Sequence, residues 1–229
     1  IGKEIFGGTG YNIFNPALTA RAFVFFAYPA SISGDMVWVG GIDAVSQATP
    51  LLAAASQQGT MMAIDLLNDY TWQNMFYGLI PGSIGETSII AISIGALFLL
   101  VTGIGSWRIM LSTLIGMILT ALLTNYFHLA VGSSNPMLSL KPHYHLVMGG
   151  FAFGMVFMAT DPVSGSQTNL GRWIYGFLIG FMCVIIRAIN PAYPEGMMLG
   201  ILFANAFAPL IDYYVMKFHI KKRKRRFAT

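Results

Sequence analysis

The chain has 229 residues, of which 55% are hydrophobic and only 10% are charged. An ordinary soluble domain carries roughly 25% charged residues, so the composition excludes a soluble protein and indicates an integral membrane protein. Seven of the thirteen basic residues lie in the tail at 217–229, and the body before it is slightly acidic. This distribution argues against nucleic acid as a partner, because a nucleic-acid-binding protein spreads its basic residues over a folded face.

The apolar segments predict an all-α fold, a polytopic transmembrane helical bundle. A span needs about 20 mostly apolar residues. The first apolar segment, 16–30, is short and interrupted by Arg21 and Pro29, so we expect a broken helix at membrane depth, surrounded by protein. Five full spans are then predicted at about 87–105, 107–126, 144–160, 173–189 and 197–215. We interpret residues 1–229 as one transmembrane domain.

The basic residues predict the orientation of these spans. If the tail at 217–229 is cytoplasmic, Arg108 and Arg172 also fall inside, whereas the loop at about 27–86 falls outside. That loop has five acidic residues and no Lys or Arg, as the positive-inside rule requires of an external loop. The tail is interpreted as an orientation signal that also contacts anionic membrane lipid.

Asn-Pro pairs mark candidate helix starts at Asn15, Asn135 and Asn190. Asn is a favoured N-cap residue, and Pro fits the first helical position because an N–H is not needed there. We therefore predict that a helix begins after each of the three asparagines.

Two aspartates are candidates for ion chemistry. Asp212 lies in the last predicted span, and Pro209 should free the carbonyl of Asn205 four residues earlier, which would gather polar groups on one side of a kinked helix. An intramembrane carboxylate is a functional candidate, although Asp212 near the end of a span is also compatible with simple snorkelling. Asp161-Pro162 ends the third full span, where helix termination is the alternative to a functional role.

The external loop contains the segment 43–50, DAVSQATP, which resembles the flavinylation motif Asp-x-x-Ser/Thr-Gly-Ala-Thr. The surrounding sequence is similar to the B subunit of the sodium-translocating NADH:quinone oxidoreductase and to the related Rnf subunits. The resemblance covers essentially the whole chain and is most specific at 7–18, 25–30, 80–86, 145–154, 159–164 and 190–198. The family subunit has about ten spans, so the chain resembles its C-terminal part. The sequence also begins at Ile1 rather than Met, and we expect an upstream segment.

The resemblance implies that FMN is attached to Thr49 through a phosphoester bond made by a periplasmic flavin transferase. Asp43, Ser46 and Ala48 match the motif that this transferase recognises. Gln47 stands where the motif has Gly, which matters if that position needs a positive φ.

The resemblance also implies the remaining partners. Asn12 and Asn15 match positions associated with a non-covalent riboflavin, and Asp161 and Asp212 match acidic positions of the Na⁺ pathway. The chain would be a relay subunit of a six-subunit complex in the bacterial cell inner membrane, passing electrons from FMN to riboflavin and ubiquinone while sodium is exported. The quinone-site glycines of the family lie upstream of this chain.

Three alternatives remain at this stage. The first is the homologous D subunit of the Rnf ferredoxin:NAD oxidoreductase, which carries the same flavin motif. The second is a channel or transporter without redox chemistry, which a half helix and a kinked span would suit. The third is an inert structural membrane subunit.

Overall fold

A computed structural model of the chain describes residues 2–28, 37–38, 46–47, 49–56, 70–133, 135–190 and 195–227. Two residue pairs, β1 (Val37–Trp38) and β2 (Ser46–Gln47), form a short antiparallel ladder in which Val37 lies opposite Gln47. Short 3₁₀ turns occupy Glu4–Phe6 and Pro136–Ser139. The helices are α1 (Pro16–Ala27), α2 (Pro50–Ser56), α3 (Trp72–Tyr77), α4 (Ile89–Val101), α5 (Trp107–Val131), α6 (Pro142–Val147), α7 (Phe151–Phe153, continued by a π-helical turn at Gly154–Met158), α8 (Asn169–Ile189) and α9 (Met197–Phe227).

The predicted helical membrane bundle is confirmed, but the lengths of its members differ from the prediction. Within the described residues, α5, α8 and α9 are long and apolar enough to cross a membrane. α1 and α4 are apolar but have only 12 and 13 residues. α1 agrees with the prediction at 16–30 in its short length, but it continues through Arg21 without a break, and Pro29 lies outside the described residues. The segment at 87–105 forms a shorter helix than a full span requires.

α8 packs between α5 and α9, and the three long helices share one hydrophobic core. Ile179 and Cys183 of α8 and Ile201 of α9 are fully buried in it. α8 approaches α5 closely at Gly180, where an added Cβ would lie 2.6 Å from the backbone nitrogen of Met117. Backbones can meet this closely only where one residue has no side chain, which is the usual role of small residues between membrane helices.

The predicted span at 144–160 is not one helix. It is divided into α6 and α7 by a break at 148–150, where Gly149 has a φ of +62°. A left-handed residue cannot continue a right-handed helix, and glycine adopts it without steric cost. Hydropathy misses this break because it registers composition and not backbone conformation.

Two of the three predicted Asn-Pro helix starts are confirmed. The Asn15 side chain accepts hydrogen bonds from the backbone N–H groups of Ala17 and Leu18, and Asn135 caps the 3₁₀ turn through Met137 N–H. The helix start predicted after Asn190 falls at 191–194, outside the described residues; Asn190 itself is the C-cap of α8.

The bundle has two ends that are distinguished by their loops. The tail end contains the end of α4, the beginnings of α5 and α8, and the final turns of α9. The loop end contains the end of α8, together with α2, which packs on the turn at Pro136–Ser139. The Asn135 side chain holds that turn to the Ala188 carbonyl at 2.6 Å. α2 and the basic tail therefore lie at opposite ends of the long helices.

Candidate functional sites

Thr49 lies at the loop end and begins α2. Its hydroxyl accepts a 3.4 Å hydrogen bond from Leu52 N–H, and its carbonyl accepts one from Ala53 N–H at 2.9 Å. The side chain is half-buried. Among the described residues the hydroxyl has no other hydrogen-bond partner, so its proton stays available and its position suits an acceptor of a covalent group.

The rest of the flavinylation motif is described only in part. Asp43 and Ala48 lie outside the described residues, and for Ser46 the structure describes only the backbone. The backbone of Gln47 is extended, because it pairs with Val37 in the short ladder. A glutamine is compatible with extended backbone, so this conformation creates no need for a glycine at that position.

A buried arginine holds the break between α6 and α7. Arg187 is 0% exposed and donates to the carbonyls of His145 (2.9 Å), Met148 (3.0 Å) and Glu195 (3.1 Å). The bonds to His145 and Met148 satisfy carbonyls that the interrupted helix leaves without an intrahelical donor, whereas the Glu195 carbonyl also accepts from Met197 N–H at 2.7 Å. The sequence analysis did not single out Arg187, although an arginine within an apolar segment was the available signal.

Two glutamates converge on the other side of the same break. Oε2 of Glu86 and Oε1 of Glu195 lie 2.8 and 3.0 Å from the position that a Cβ atom on Gly150 would occupy. Glu195 is paired with Arg21 of α1 at 2.9 Å. Burial first, and then the neighbouring Glu195 carboxylate, raises the pKa of Glu86 above its usual 4.5 in spite of Arg21.

Glu86 lies outside the spans, before α4, and its raised pKa predicts a stability that depends on pH. The folded protein holds this proton more tightly than the unfolded chain, so stability should fall as pH rises through the window above 4.5 and stay lower beyond the raised pKa. A Glu86→Gln variant removes this titration and should gain thermal stability relative to wild type at about pH 8 but not at about pH 4. Melting curves at both pH values test this.

The control for that measurement is Glu4→Gln, since Glu4 is an exposed carboxylate at the start of the chain. It should leave the difference between the two pH values as in wild type. An unchanged pH difference in Glu86→Gln as well would refute the assignment of the titration to Glu86.

Asn12 and Asn15, the riboflavin candidates, are both buried near the start of α1. The oxygen of Asn15 is used for capping, and its amide group also reaches the Met158 carbonyl at 3.5 Å. Asn12 donates to the Phe14 carbonyl at 3.0 Å, and within the described residues this is its one side-chain hydrogen bond. The amide oxygen of Asn12 is therefore the group that remains available to a ligand.

At the tail end, the Asp212 carboxylate caps the start of α8. It accepts from the hydroxyls of Ser166 (2.7 Å) and Thr168 (2.6 Å) and from the N–H groups of Gln167 (2.8 Å) and Thr168 (3.0 Å). Asp212 and Asn205, which the sequence groups together, have different partners. The amide of Asn205 lies against the Tyr175 hydroxyl at 2.6 Å.

Asp161, the other ion candidate, lies at the same end. It accepts from the hydroxyl and N–H of Ser164 at 2.5 and 3.3 Å, so it stabilises its own turn after α7. It also lines a cavity of about 350 Å³ between the end of α4 and the start of α5. Among the described residues no group of three or more His, Cys, Asp or Glu side chains is arranged to hold a metal ion.

The capping role of Asp212 predicts a loss of stability when its carboxylate is removed. An Asp212→Ala variant leaves four donors without their acceptor and should lower the free energy of unfolding by about 2 kcal/mol. Asp212→Asn retains one acceptor oxygen and should lose less. Unfolding of the solubilised protein measures both, with Lys217→Ala, an exposed position on the same helix, as the control. Equal stability of Asp212→Ala and wild type would show that the cap contributes nothing.

These features define a class of protein: a helical membrane protein in which short and broken helices are held between long spans by buried polar groups. The chain matches the model of the NQR2, RnfD, RnfE family over residues 1–221 and belongs to that family.

Relatives at high identity agree on one kind of subunit. The chain is 58% identical over 230 residues to the B subunit of the Na(+)-translocating NADH-quinone reductase of Chromohalobacter salexigens, covering 100% of the chain and 54% of that relative. The proteins of the same name from Ectopseudomonas mendocina and Neisseria meningitidis are 58% and 54% identical, and the match covers 99% of the chain in both cases. In each comparison the chain spans 54% of the relative's own length.

Proposed function

We propose that this chain is the C-terminal, flavin-carrying part of a membrane subunit of a sodium-translocating NADH:quinone oxidoreductase. In this proposal it relays electrons from a covalent FMN on Thr49 through riboflavin to ubiquinone, coupled to sodium export. The observation that carries it is the identity of 54–58% along the whole chain to proteins named as the B subunit of that enzyme. The helical membrane bundle is the setting that such a subunit needs.

The FMN site rests on Thr49. Its half-buried hydroxyl lies at the start of α2, where the oxygen can form a phosphoester without displacing a strong hydrogen bond. The bound flavin would supply the redox chemistry, and the chain would supply a fixed position for it. Leu51, two residues further on, packs against the break at Gly149, 2.7 Å from the position of a Cβ there, which anchors the segment to the bundle.

The riboflavin site in this proposal lies where α1 begins. Asn12 offers its amide oxygen to a ligand N–H, and Asn15 orients the first turn of α1 by capping it. The ion pair between Arg21 and Glu195 ties the short α1 to the bundle, so the ligand would contact a positioned helix start.

The sodium path in this proposal begins at the tail end, on the cytoplasmic side. Asp161 and Asp212 supply carboxylate oxygens there, and hydroxyl oxygens of Ser164, Ser166 and Thr168 lie beside them. Oxygen donors of this kind are the ligands that hard cations prefer. The charge pattern supports this sidedness, because α2 and the basic tail lie at opposite ends of the long helices.

The test is in-gel flavin fluorescence of the denatured full-length subunit, produced with its flavin transferase, together with its intact mass. We expect fluorescence and a mass gain of one FMN. A denatured subunit without flavin would refute the FMN relay. The remaining candidate functions would then be a channel, a transporter or a structural subunit.

A second candidate function is that of the D subunit of an Rnf ferredoxin:NAD oxidoreductase, favoured by the family model that the two kinds of subunit share. Covalent flavin does not separate the two. Purified complex should reduce a quinone with NADH as donor under our proposal, and should instead exchange electrons between ferredoxin and NAD under the alternative.

A further inference from the structure

The cavity at the tail end is lined by two arginines whose positive charge the neighbouring side chains do not fully neutralise. It has a volume of about 350 Å³ and is lined by Arg108 and Arg172, by Asp161, and by apolar groups of Leu100, Ile104 and Trp107. It opens at the edge of the bundle, between the end of α4 and the start of α5. A ligand in this cavity would contact the charged arginines on one side and an apolar wall, formed by Leu100, Ile104 and Trp107, on the other.

Neither arginine is neutralised by a carboxylate within the described part of the chain. Arg108 has its guanidinium 5.0 Å from the centre of the Trp107 ring and makes no other polar contact among the described residues. Arg172 donates through Nε to the Ser166 carbonyl at 3.3 Å, which leaves its two terminal nitrogens for a ligand. The Asp161 carboxylate is occupied by the donors of its own turn. Two guanidinium groups therefore line the cavity with at most one opposing charge.

The backbone at the cavity also favours an anion. α5 has 25 residues, and its N-cap residue Ser106 makes no side-chain capping bond. The first N–H groups of a helix have no intrahelical acceptor, and the dipole of a long helix is positive at this end. The hydroxyl oxygen of Ser106, which lines the cavity, is buried and lacks a hydrogen-bond partner among the described residues.

The apolar wall decides which kind of anion fits. Leu100, Ile104 and Trp107 are exposed at the bundle surface beside the cavity. An inorganic anion would leave these side chains uncovered, whereas the acyl chains of a phospholipid would cover them while its phosphate reaches the arginines. Basic pockets between helices at the cytoplasmic side of membrane proteins bind anionic headgroups in this way.

We infer that this cavity is a binding site for the phosphate headgroup of an anionic phospholipid, held by Arg108, Arg172 and the start of α5. The inference is independent of the flavin chemistry, because none of these groups carries a flavin role in the proposed function. It assigns the lipid to one site on the bundle, apart from the general attraction of the basic tail to the membrane.

Lipid binding to the purified complex, stripped of lipid by detergent exchange, tests the inference by native mass spectrometry. The probes are phosphatidylglycerol, phosphatidylethanolamine and inorganic phosphate. We expect one tightly retained phosphatidylglycerol in wild type. Its affinity should fall about tenfold in Arg108→Gln and further in the double variant with Arg172→Gln, because each change removes a charge-assisted hydrogen bond.

Matched controls separate this site from general electrostatics and from misfolding. The double variant Lys221→Gln and Lys222→Gln removes the same charge from the exposed tail at the same end and should retain the lipid. Arg108→Lys keeps the charge and should retain most of the affinity, with an unchanged size-exclusion profile.

Three outcomes would overturn the inference. Equal retention of phosphatidylethanolamine would mean that the headgroup charge is not recognised. Displacement of the lipid by inorganic phosphate at comparable affinity would mean a site for the free ion. An equal loss in the tail control would mean that the contact is only surface attraction.

Discussion

Replacing Thr49 by alanine is expected to remove all covalent flavin from the chain. The phosphoester can form only through a side-chain hydroxyl, and Thr49 presents its hydroxyl half-buried at the start of α2, where it accepts a long hydrogen bond from Leu52 N–H. In-gel fluorescence of the denatured subunit should disappear, and the intact mass should lack one FMN. Thr49→Ser keeps the hydroxyl and should keep the flavin.

The chain offers a matched control for this experiment in Thr71. Its hydroxyl caps α3 by accepting a hydrogen bond from Asn74 N–H at 3.3 Å, much as Thr49 caps α2. Loss of a threonine cap costs about 1 kcal/mol in either position, so Thr71→Ala matches the structural effect of Thr49→Ala without touching the acceptor. Thr71→Ala should retain the flavin. Flavin that persists in Thr49→Ala would place the attachment on another hydroxyl, with Ser46 as the first to examine by peptide mapping.

Features that depend on neighbours in the sequence could be predicted without the structure. Composition alone indicates a membrane bundle, and the 16–30 segment is recognisable as a short helix because its apolar run is shorter than a span. The cap at Asn15 follows from an Asn-Pro pair, since capping bonds reach only two or three residues along the chain. Asn190 shows that such an asparagine can also follow a helix, since it is the C-cap of α8.

Features that depend on tertiary contacts could not be predicted in this way. Asp212 was grouped with Asn205 because both lie on one helix, yet its partners are the residues at 166–168, which α8 brings to it from more than forty positions away. The break at Gly149 is likewise invisible to hydropathy, because the carbonyl that it leaves without a helical donor is bonded by Arg187 from a different helix. Arg187, which the sequence places near the end of an apolar segment, thus proves to be completely buried.

Replacing Arg187 by methionine is expected to cause the largest loss of stability of any single change considered. The side chain is completely buried, and its guanidinium donates hydrogen bonds to the carbonyls of His145, Met148 and Glu195. Methionine fills much of the volume but leaves the buried carbonyls of His145 and Met148 without a donor, so the free energy of unfolding should fall by about 3–5 kcal/mol. Arg187→Lys should recover only part of this loss, because a single ammonium cannot reach three carbonyls in a fixed fork.

Denaturant or thermal unfolding of the solubilised protein measures this effect. The control is Lys141→Met, which removes a basic group from an exposed position at the loop end.

The consequence of losing Arg187 should extend to Thr49. Leu51 packs on Gly149, and Nη2 of Arg187 lies 3.4 Å from the Cβ position of the same glycine, so a relaxed break removes the surface on which α2 rests. We therefore expect less flavin per chain in Arg187→Met than in Lys141→Met. A variant that unfolds within about 1 kcal/mol of wild type would mean that other donors satisfy the break. Arg187 would then not stabilise the break between α6 and α7, and the position of Thr49 would not depend on it.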